Sequence, residues 1–401
     1  MYFLKNKYLL FVYFLLLLYT FQDITNSAQA GFKEGADRSI VYVILISIIL
    51  LFSSYIVYYR LNNNIRWFGV SFVLFLILLW EISVDLLLSA DIRNMFIRAF
   101  MSLWWMLSLY FSYLYVKANP KSVDSVLIIN IVMFFVYVYA NVFLRMNIVS
   151  RFGKDYATSG YVYFILVFIP YIMLITRKWV RMFLLLIAIV FVITGYKRGA
   201  IIILPAMILI YYYTELKVNV FYLNKIVYIL KAILVFVVFS FVMFIIDCNY
   251  GGVLSARFGD EDMSSGSGRD VIYSSAIKLI ENRPFEDLFF GTGGDSTLKL
   301  LGINAHNEWL EFMFCYGIVG VILYLSFILS LIFRYYKLLK EGSQYAPHWG
   351  MLTVYVVLVG MFGMFYFTHS SFYVFFLIGL LESKIEQNFK FAHNECIESK
   401  Y

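Results

Sequence analysis

The side chains of this chain best suited to chemistry, by their type and spacing, are a few cations and one histidine. Lys197 and Arg198 stand between two short apolar runs, Arg269 begins an amphipathic stretch, and His306 with Asn307 directly precedes another apolar run. Guanidinium and ammonium groups bind phosphates, and histidine is the usual candidate for proton transfer near neutral pH. The pattern therefore predicts a site that holds a phosphate-bearing ligand and moves a proton beside it.

These residues also have plainer interpretations, which the sequence leaves open. Arg269 can be a solvated side chain that pairs with Asp260 or Glu261. The 197–198 pair can be two anchors whose charges extend to the membrane surface. A single histidine at the end of a helix is often only an interfacial residue. The function must therefore be argued from the combination of these residues.

The surroundings of Arg269 predict a surface helix near the membrane plane. Ser267 as N-cap and Asp270 three residues later form a capping-box pattern, and the Asn-Arg-Pro segment at 282–284 ends the helix. Its predicted apolar face consists of Val271, Ile272, Ser275, Ala276, Leu279 and Ile280. Gly291 to Gly294 then form a glycine-rich turn, whose backbone can approach a ligand or another helix closely.

The rest of the chain has the composition of a membrane protein. It is 62% hydrophobic and 14% charged, with a mean hydropathy of +0.80, more apolar surface than a soluble domain of this length can bury. About twelve apolar runs are long enough to form membrane helices. They lie at about 6–22, 39–59, 67–89, 95–116, 125–144, 157–176, 182–196, 200–214, 226–246, 308–333, 350–368 and 371–382. The sequence predicts an all-α integral membrane protein with one large polar loop.

The polar loop divides the chain into three parts. Residues 1–246 form a membrane bundle of about nine spans, residues 247–307 the loop, and residues 308–401 the last spans and a tail. Short loops on the side of both termini hold about 17 Lys and Arg, against about eight on the other side. This bias predicts cytoplasmic termini and an outer polar loop. The net charge of +7 then reflects topology and not nucleic-acid binding.

The N-terminal segment keeps a second interpretation. Lys5 and Lys7, the apolar run after them, and Ala28-Gln29-Ala30 together resemble a cleavable signal peptide. Cleavage would leave the orientation of the later spans unchanged.

Two acidic residues in the third span keep a different function open. Glu81 and Asp85 lie four residues apart on one helix face, and Arg98 is near the same depth in the next span. We expect a buried structural pair with Arg98; the alternative is proton coupling in a transporter. The three cysteines are scattered along the chain, so they predict neither a disulfide nor a metal site.

Taken together, these motifs resemble the O-antigen polymerase and ligase superfamily, the Wzy and WaaL proteins. The likeness rests on Ser267-Gly268-Arg269, Asn282 to Pro284, Gly291 to Gly293, His306-Asn307 followed by Gly317 and Gly320, and an earlier Arg198-Gly199 pair. Between Pro284 and the glycine turn the chain carries residues 285–290, a longer step than is usual in that family.

The resemblance implies a metal-independent glycosyltransferase of the GT-C type, without a cofactor. It would use an undecaprenyl-pyrophosphate-linked glycan at the periplasmic face of the bacterial inner membrane. Arg198 and Arg269 would bind the donor pyrophosphate, and His306 would assist the acceptor hydroxyl. The further expected substrate contacts are Lys197, Arg257, Tyr273 and Asn307.

The resulting prediction is a polymerase of O-antigen or a related surface polysaccharide, which transfers a growing glycan onto a lipid-linked repeat unit. One alternative is the ligase, which transfers the same donor glycan to lipid A-core. A flippase or other transporter of lipid-linked oligosaccharides is the alternative from another class. The expected partners are the lipid-linked oligosaccharide, the bilayer, a chain-length regulator and a flippase, with no nucleic acid.

Overall fold

Helices are the only regular secondary structure in the described part of the chain. The computed structural model describes residues 2–30, 40–61, 69–88, 92–152, 160–218, 222–249, 252, 255, 258, 269–294, 296–366, 368 and 370–398. The first ten helices are α1 (Tyr2–Ala30), α2 (Ile40–Leu61), α3 (Gly69–Leu88), α4 (Ile92–Ala118), α5 (Val123–Phe152), α6 (Val162–Val167), α7 (Ile169–Met173), α8 (Lys178–Thr194), α9 (Arg198–Val218) and α10 (Tyr222–Asn249).

Three short helices and three long ones complete the chain. They are α11 (Arg269–Glu281), α12 (Phe285–Phe290), α13 (Ser296–Leu301), α14 (Glu308–Lys340), α15 (Ala346–Phe362) and α16 (Ser370–Glu398). Each predicted span corresponds to a helix, and the sixth is split into α6 and α7. The break falls at Phe168, just before Pro170, because proline has no N–H group to continue the helical hydrogen bonds.

The membrane assignment is supported by helix length and by what the helices expose. Six described helical stretches are long and apolar enough to cross a membrane. In α10 only 17% of the most apolar window is buried, and Leu230, Phe241 and Phe244 are among its exposed side chains. Contiguous apolar surface of this kind indicates contact with lipid. The all-α membrane class is therefore confirmed.

The core is centred on α16. Its side chains from Phe372 to Ile378 are fully buried, and it packs closely on α4. A Cβ at Gly379 would lie 2.0 Å from the Leu109 carbonyl oxygen, so only glycine permits this approach. The Ser112 hydroxyl donates to the Phe376 carbonyl at 2.7 Å, which ties the two helices together.

Helix directions place the candidate residues at one membrane face, which we call the loop side. There α9 begins at Arg198, α14 begins at Glu308, and α15 ends at Phe362. At the opposite face, the tail side, α8 begins at Lys178 and α14 ends at Lys340. The assignment of the loop side to the periplasm stays a prediction.

The polar loop is more helical than the sequence predicted. The surface helix is confirmed as α11, with Ala276 fully buried, but Val271 is 63% exposed and lies off the buried face. The helices α12 and α13 were not predicted, since six residues are too few for a visible periodicity. The proposed N-cap Ser267 lies outside the described residues.

Candidate functional site

The turn before α9 is packed closely against the side chains of neighbouring helices. Tyr196 is buried and has a left-handed backbone with φ of 51°. The Arg145 guanidinium lies 4.5 Å from the centre of its ring, within the range of a cation–π contact. A Cβ at Gly199 would lie 2.5 Å from the Tyr163 hydroxyl. Glycine therefore allows the start of α9, with Lys197 and Arg198, to lie against α6.

Tyr163 links this turn to the start of α11. Its hydroxyl donates to the Phe362 carbonyl oxygen at 3.0 Å, and the Arg269 guanidinium lies close beside it, within electrostatic range. Tyr273, one turn further along α11, is also within electrostatic range of Tyr163. The helix starts that carry Arg198 and Arg269 therefore meet at one phenol, although 71 residues separate them in the chain.

His306 and Asn307 reach the same place from α14. Asn307 is the N-cap of this helix: its side-chain oxygen accepts from the backbone N–H of Trp309 at 3.0 Å and of Leu310 at 3.3 Å. Its amide donates to the Met361 carbonyl at 3.4 Å. His306 directly before it is partly exposed and has a left-handed backbone, with φ of 51°, which histidine adopts more readily than most residues.

The C-terminal end of α15, residues 361–363, is therefore the meeting point of the predicted site. The Met361 carbonyl accepts from Asn307, and the Phe362 carbonyl accepts from Tyr163. Tyr163 in turn contacts Arg269. Three motifs that are far apart in the sequence converge around one helix end.

A buried carboxylate fixes the chain that follows α15. Glu308 is fully buried and accepts hydrogen bonds from the backbone N–H of Phe365 at 2.6 Å, from that of Tyr366, and from the Tyr324 hydroxyl at 2.7 Å. A Cβ at Gly360 would lie 2.4 Å from the Tyr324 oxygen, so a larger residue would displace this group. Glu308 thus positions the segment after α15 relative to the start of α14.

The glycine-rich turn at 291–294 binds a neighbouring helix. The Thr292 N–H donates to the Phe314 carbonyl at 3.2 Å. The Gly293 N–H donates to the Cys315 carbonyl at 2.9 Å. These backbone donors are used within the protein, so the turn is a docking element for α14 and not a cradle for a phosphate.

Two glycines make this docking possible. Gly291 has φ of 82°, and a Cβ there would lie 2.3 Å from the Cys315 carbonyl oxygen. Gly317, at a break inside α14, has φ of 65°, and its Cβ would lie 2.3 Å from the Phe289 carbonyl oxygen. Both positions therefore require glycine for conformation and for space.

The two carboxylates of the third span bind different elements, and one of them takes part in the same docking. Asp85 accepts from the Gly294 N–H at 2.7 Å, which ties α3 to the glycine turn. Glu81 accepts a hydrogen bond from Ser102. The expected partner, the side chain of Arg98, lies outside the described residues. The structure thus gives both carboxylates hydrogen-bond partners that the sequence did not predict.

A second buried carboxylate of α14 pins the end of the loop. Glu311 accepts from the Ala305 N–H at 2.7 Å and from the Thr297 hydroxyl. Because Ala305 directly precedes His306, this contact determines where the histidine lies. The position of His306 is therefore set on one side by the contact between Glu311 and Ala305 and on the other by the Asn307 cap.

The structure brings the predicted segments close to one another, and several residues between them were not predicted from the sequence. Arg198, Arg269, Tyr273, His306 and Asn307 lie around the α15 end. Arg257, and the alternative Arg269 partners Asp260 and Glu261, lie outside the described residues. The residues missed are Tyr163, Glu308, Glu311 and Arg145. Each acts through a contact outside its own helix, for which the local sequence carries no motif.

The described residues contain no group of three or more His, Cys, Asp or Glu side chains suited to a metal ion. Metal-independent chemistry stays a prediction.

The comparisons point to a polysaccharide-processing membrane protein. The family model described as O-antigen ligase matches residues 182–325, about a third of the chain. That segment includes Arg198, Arg269 and His306 and leaves out Tyr163 and the α15 end. No curated protein matches the chain. The match supports a membrane enzyme of the Wzy and WaaL class, similar to the O-antigen ligases, and does not separate polymerases from ligases.

Proposed function

We propose that this protein is a surface-polysaccharide polymerase, which transfers a growing glycan from undecaprenyl pyrophosphate onto a lipid-linked repeat unit. The observation that carries the proposal is the convergence at the α15 end. Arg269 contacts Tyr163, whose hydroxyl reaches Phe362, while Asn307 next to His306 reaches Met361. This convergence supports a site in which cations for a pyrophosphate lie beside a histidine for a hydroxyl.

The proposed reaction balances with these groups. The acceptor hydroxyl oxygen forms a bond to the anomeric carbon of the donor, and the bond from that carbon to the pyrophosphate oxygen breaks. His306 takes the proton of the hydroxyl. Arg198 and Arg269 stabilise the negative charge that grows on the departing lipid pyrophosphate, because a fixed guanidinium matches phosphate oxygens in both charge and geometry.

The ligase is the second candidate, because the matching family model carries that description. Both reactions use the same donor and the same leaving group. They differ only in the acceptor, which is a lipid-linked repeat unit for the polymerase and lipid A-core for the ligase.

A reconstitution experiment separates the two. The purified protein is incubated with a lipid-pyrophosphate repeat unit and EDTA, with or without lipid A-core, and the products are resolved by size on a gel. A ladder made from the repeat unit alone is the expected result. A single shift that requires lipid A-core would identify a ligase, and no product under either condition would contradict both.

Substitutions at the site test the assigned roles. We expect Arg269→Ala and His306→Ala each to lower product formation by about a hundredfold, the usual effect of removing a charge-stabilising group or a general base. Lys278→Ala is the matched control, since it removes an exposed cation from the last turn of the same helix. Equal activity of Arg269→Ala and Lys278→Ala would remove Arg269 from the site.

A further inference from the structure

A cavity of about 310 Å³ lies at the tail side, far from the candidate site. It is enclosed by the end of α7, the start of α8, the end of α9 and the first turns of α10. Glu215 lines it and lies 17 residues along α9 from Arg198, which corresponds to about 25 Å in a helix. The volume is at the lower end of the range for small-molecule sites, roughly 300 to 1,000 Å³.

The cavity is cationic. Its lining includes Lys178, Arg181 and Lys231 and one carboxylate, that of Glu215. Lys231 lies within electrostatic range of both other cations, so the three charges repel one another. Three cations gathered around one cavity with a single acidic neighbour form a region of positive potential that attracts an anion.

The walls of the pocket hold two of these cations in place. The Arg181 guanidinium is 3.5 Å from the Met173 carbonyl oxygen at the end of α7. The Lys231 ammonium lies 5.0 Å from the centre of the Tyr228 ring. The cations therefore belong to a formed pocket, in contrast to surface anchors whose charges extend freely into water.

The pocket lies at the edge of the lipid-facing surface. Trp179, next to Lys178, is 90% exposed, and on the α10 side Leu230 is 59% exposed. Phe183, one turn further along α8, is 62% exposed. A molecule with a charged head in the pocket could thus lay apolar chains along α8 and α10. Basic pockets between membrane helices bind the head groups of anionic lipids in this way.

We propose that this pocket binds a phosphate group, with Arg181, Lys178 and Lys231 as its ligands and the head group of an anionic phospholipid as its source. The site is independent of the proposed glycan transfer. A soluble phosphate compound has the same chemistry, and the experiment below separates the two sources.

Lipid binding is measured by native mass spectrometry on the detergent-purified protein. Phosphatidylglycerol is the anionic probe and phosphatidylethanolamine the comparison, at equal concentrations. We expect retention of phosphatidylglycerol, and binding that is about tenfold weaker in Arg181→Gln/Lys231→Gln, because two cations are removed from the head group. A separate arm measures thermal stabilisation by inorganic phosphate and by pyrophosphate.

The controls keep folding apart from binding. Lys217→Gln/Lys337→Gln removes two exposed cations from the same membrane face outside the pocket and should bind like the native protein. Glu215→Gln removes the one carboxylate among the described residues of the lining and should strengthen binding, a gain that misfolding cannot produce. Size-exclusion profiles verify that every variant is monodisperse.

Each result decides the question. Charge-dependent retention of phosphatidylglycerol supports a lipid head group, and charge-dependent stabilisation by phosphate or pyrophosphate alone supports a soluble source. The proposal would be overturned if both double variants lost phosphatidylglycerol binding equally. It would also be overturned if neither lipid binding nor stabilisation by phosphate depended on these charges.

Discussion

At the scale of single residues, Tyr163 is the most informative position. Its hydroxyl donates to the Phe362 carbonyl and lies close beside Arg269, so α6, α11 and α15 come together at this phenol. No local motif marks it, because it is one aromatic residue within an apolar run. Its proposed role is to position Arg269, without touching the substrate.

Tyr163→Phe should lower product formation by about tenfold, because a misplaced arginine stabilises the leaving group less well. The loss of one hydrogen bond should cost only about 1 kcal/mol of stability. Polymer ladders and thermal melting check both quantities. Tyr213→Phe is the control, since Tyr213 is half exposed on α9. Full activity of Tyr163→Phe would show that Arg269 is positioned without it.

Glu308 permits a second prediction at this scale. Glutamine keeps the volume but has only one accepting oxygen, so a donor among Phe365, Tyr366 and Tyr324 loses its partner in Glu308→Gln. We expect a loss of about 1 to 3 kcal/mol and a lower melting temperature. Glu341→Gln affects only an exposed ion pair with Lys337 and should change little. Equal melting temperatures would contradict the structural role of Glu308.

At the scale of elements, the glycine turn and the break in α14 form one docking unit. The turn donates to two carbonyls of α14, and Asp85 of α3 accepts from its last glycine. The unit holds the loop against the bundle, and along the chain its turn follows the surface helix α11 and precedes His306.

Gly317→Ala should destabilise the protein more than Gly342→Ala. The two glycines have nearly the same φ, 65° and 64°, but a Cβ at Gly342 meets open space whereas one at Gly317 would lie 2.3 Å from the Phe289 carbonyl. Gly317 also has a ψ of −165°, a combination with positive φ that essentially only glycine adopts, so Gly317→Ala adds about 1 to 3 kcal/mol of strain to the blocked contact. Melting temperatures of the two variants measure this combined cost. Identical values would show that the loop does not dock here.

Helices were predictable from the sequence where their apolar patterns extended over many residues. Membrane runs such as 226–246 predicted helices because about twenty apolar residues leave few alternatives. The six-residue helices α12 and α13 show no such pattern. The candidate residues Arg198, Arg269 and His306 were found from their types, but the contacts of Tyr163 and Glu311 required the folded chain.

At the scale of the whole molecule, the two ends of the helices carry different chemistry. The loop side holds the proposed transferase site, while the tail side holds the cationic pocket and the buried Arg334–Glu382 pair, joined by two hydrogen bonds of 2.6 Å. The bias of Lys and Arg predicts that the tail side is cytoplasmic.

Single-cysteine labelling checks this orientation. In a cysteine-free background, Lys278→Cys should react with an impermeant thiol reagent added outside spheroplasts. Glu341→Cys, at the end of α14, should react only after the membrane is permeabilised. The reverse pattern would place the polar loop in the cytoplasm and remove the proposed donor from its reach.

The end of α15 has an electrostatic consequence for an incoming anion. The carbonyl end of a helix carries a partial negative charge of about half an elementary unit, and Tyr163, which contacts both this end and Arg269, is an uncharged phenol. A carboxylate partner would cancel the guanidinium charge. Among the described residues it is the phenol of Tyr163 that lies beside Arg269, and a phenol leaves the positive charge of the guanidinium for the phosphate.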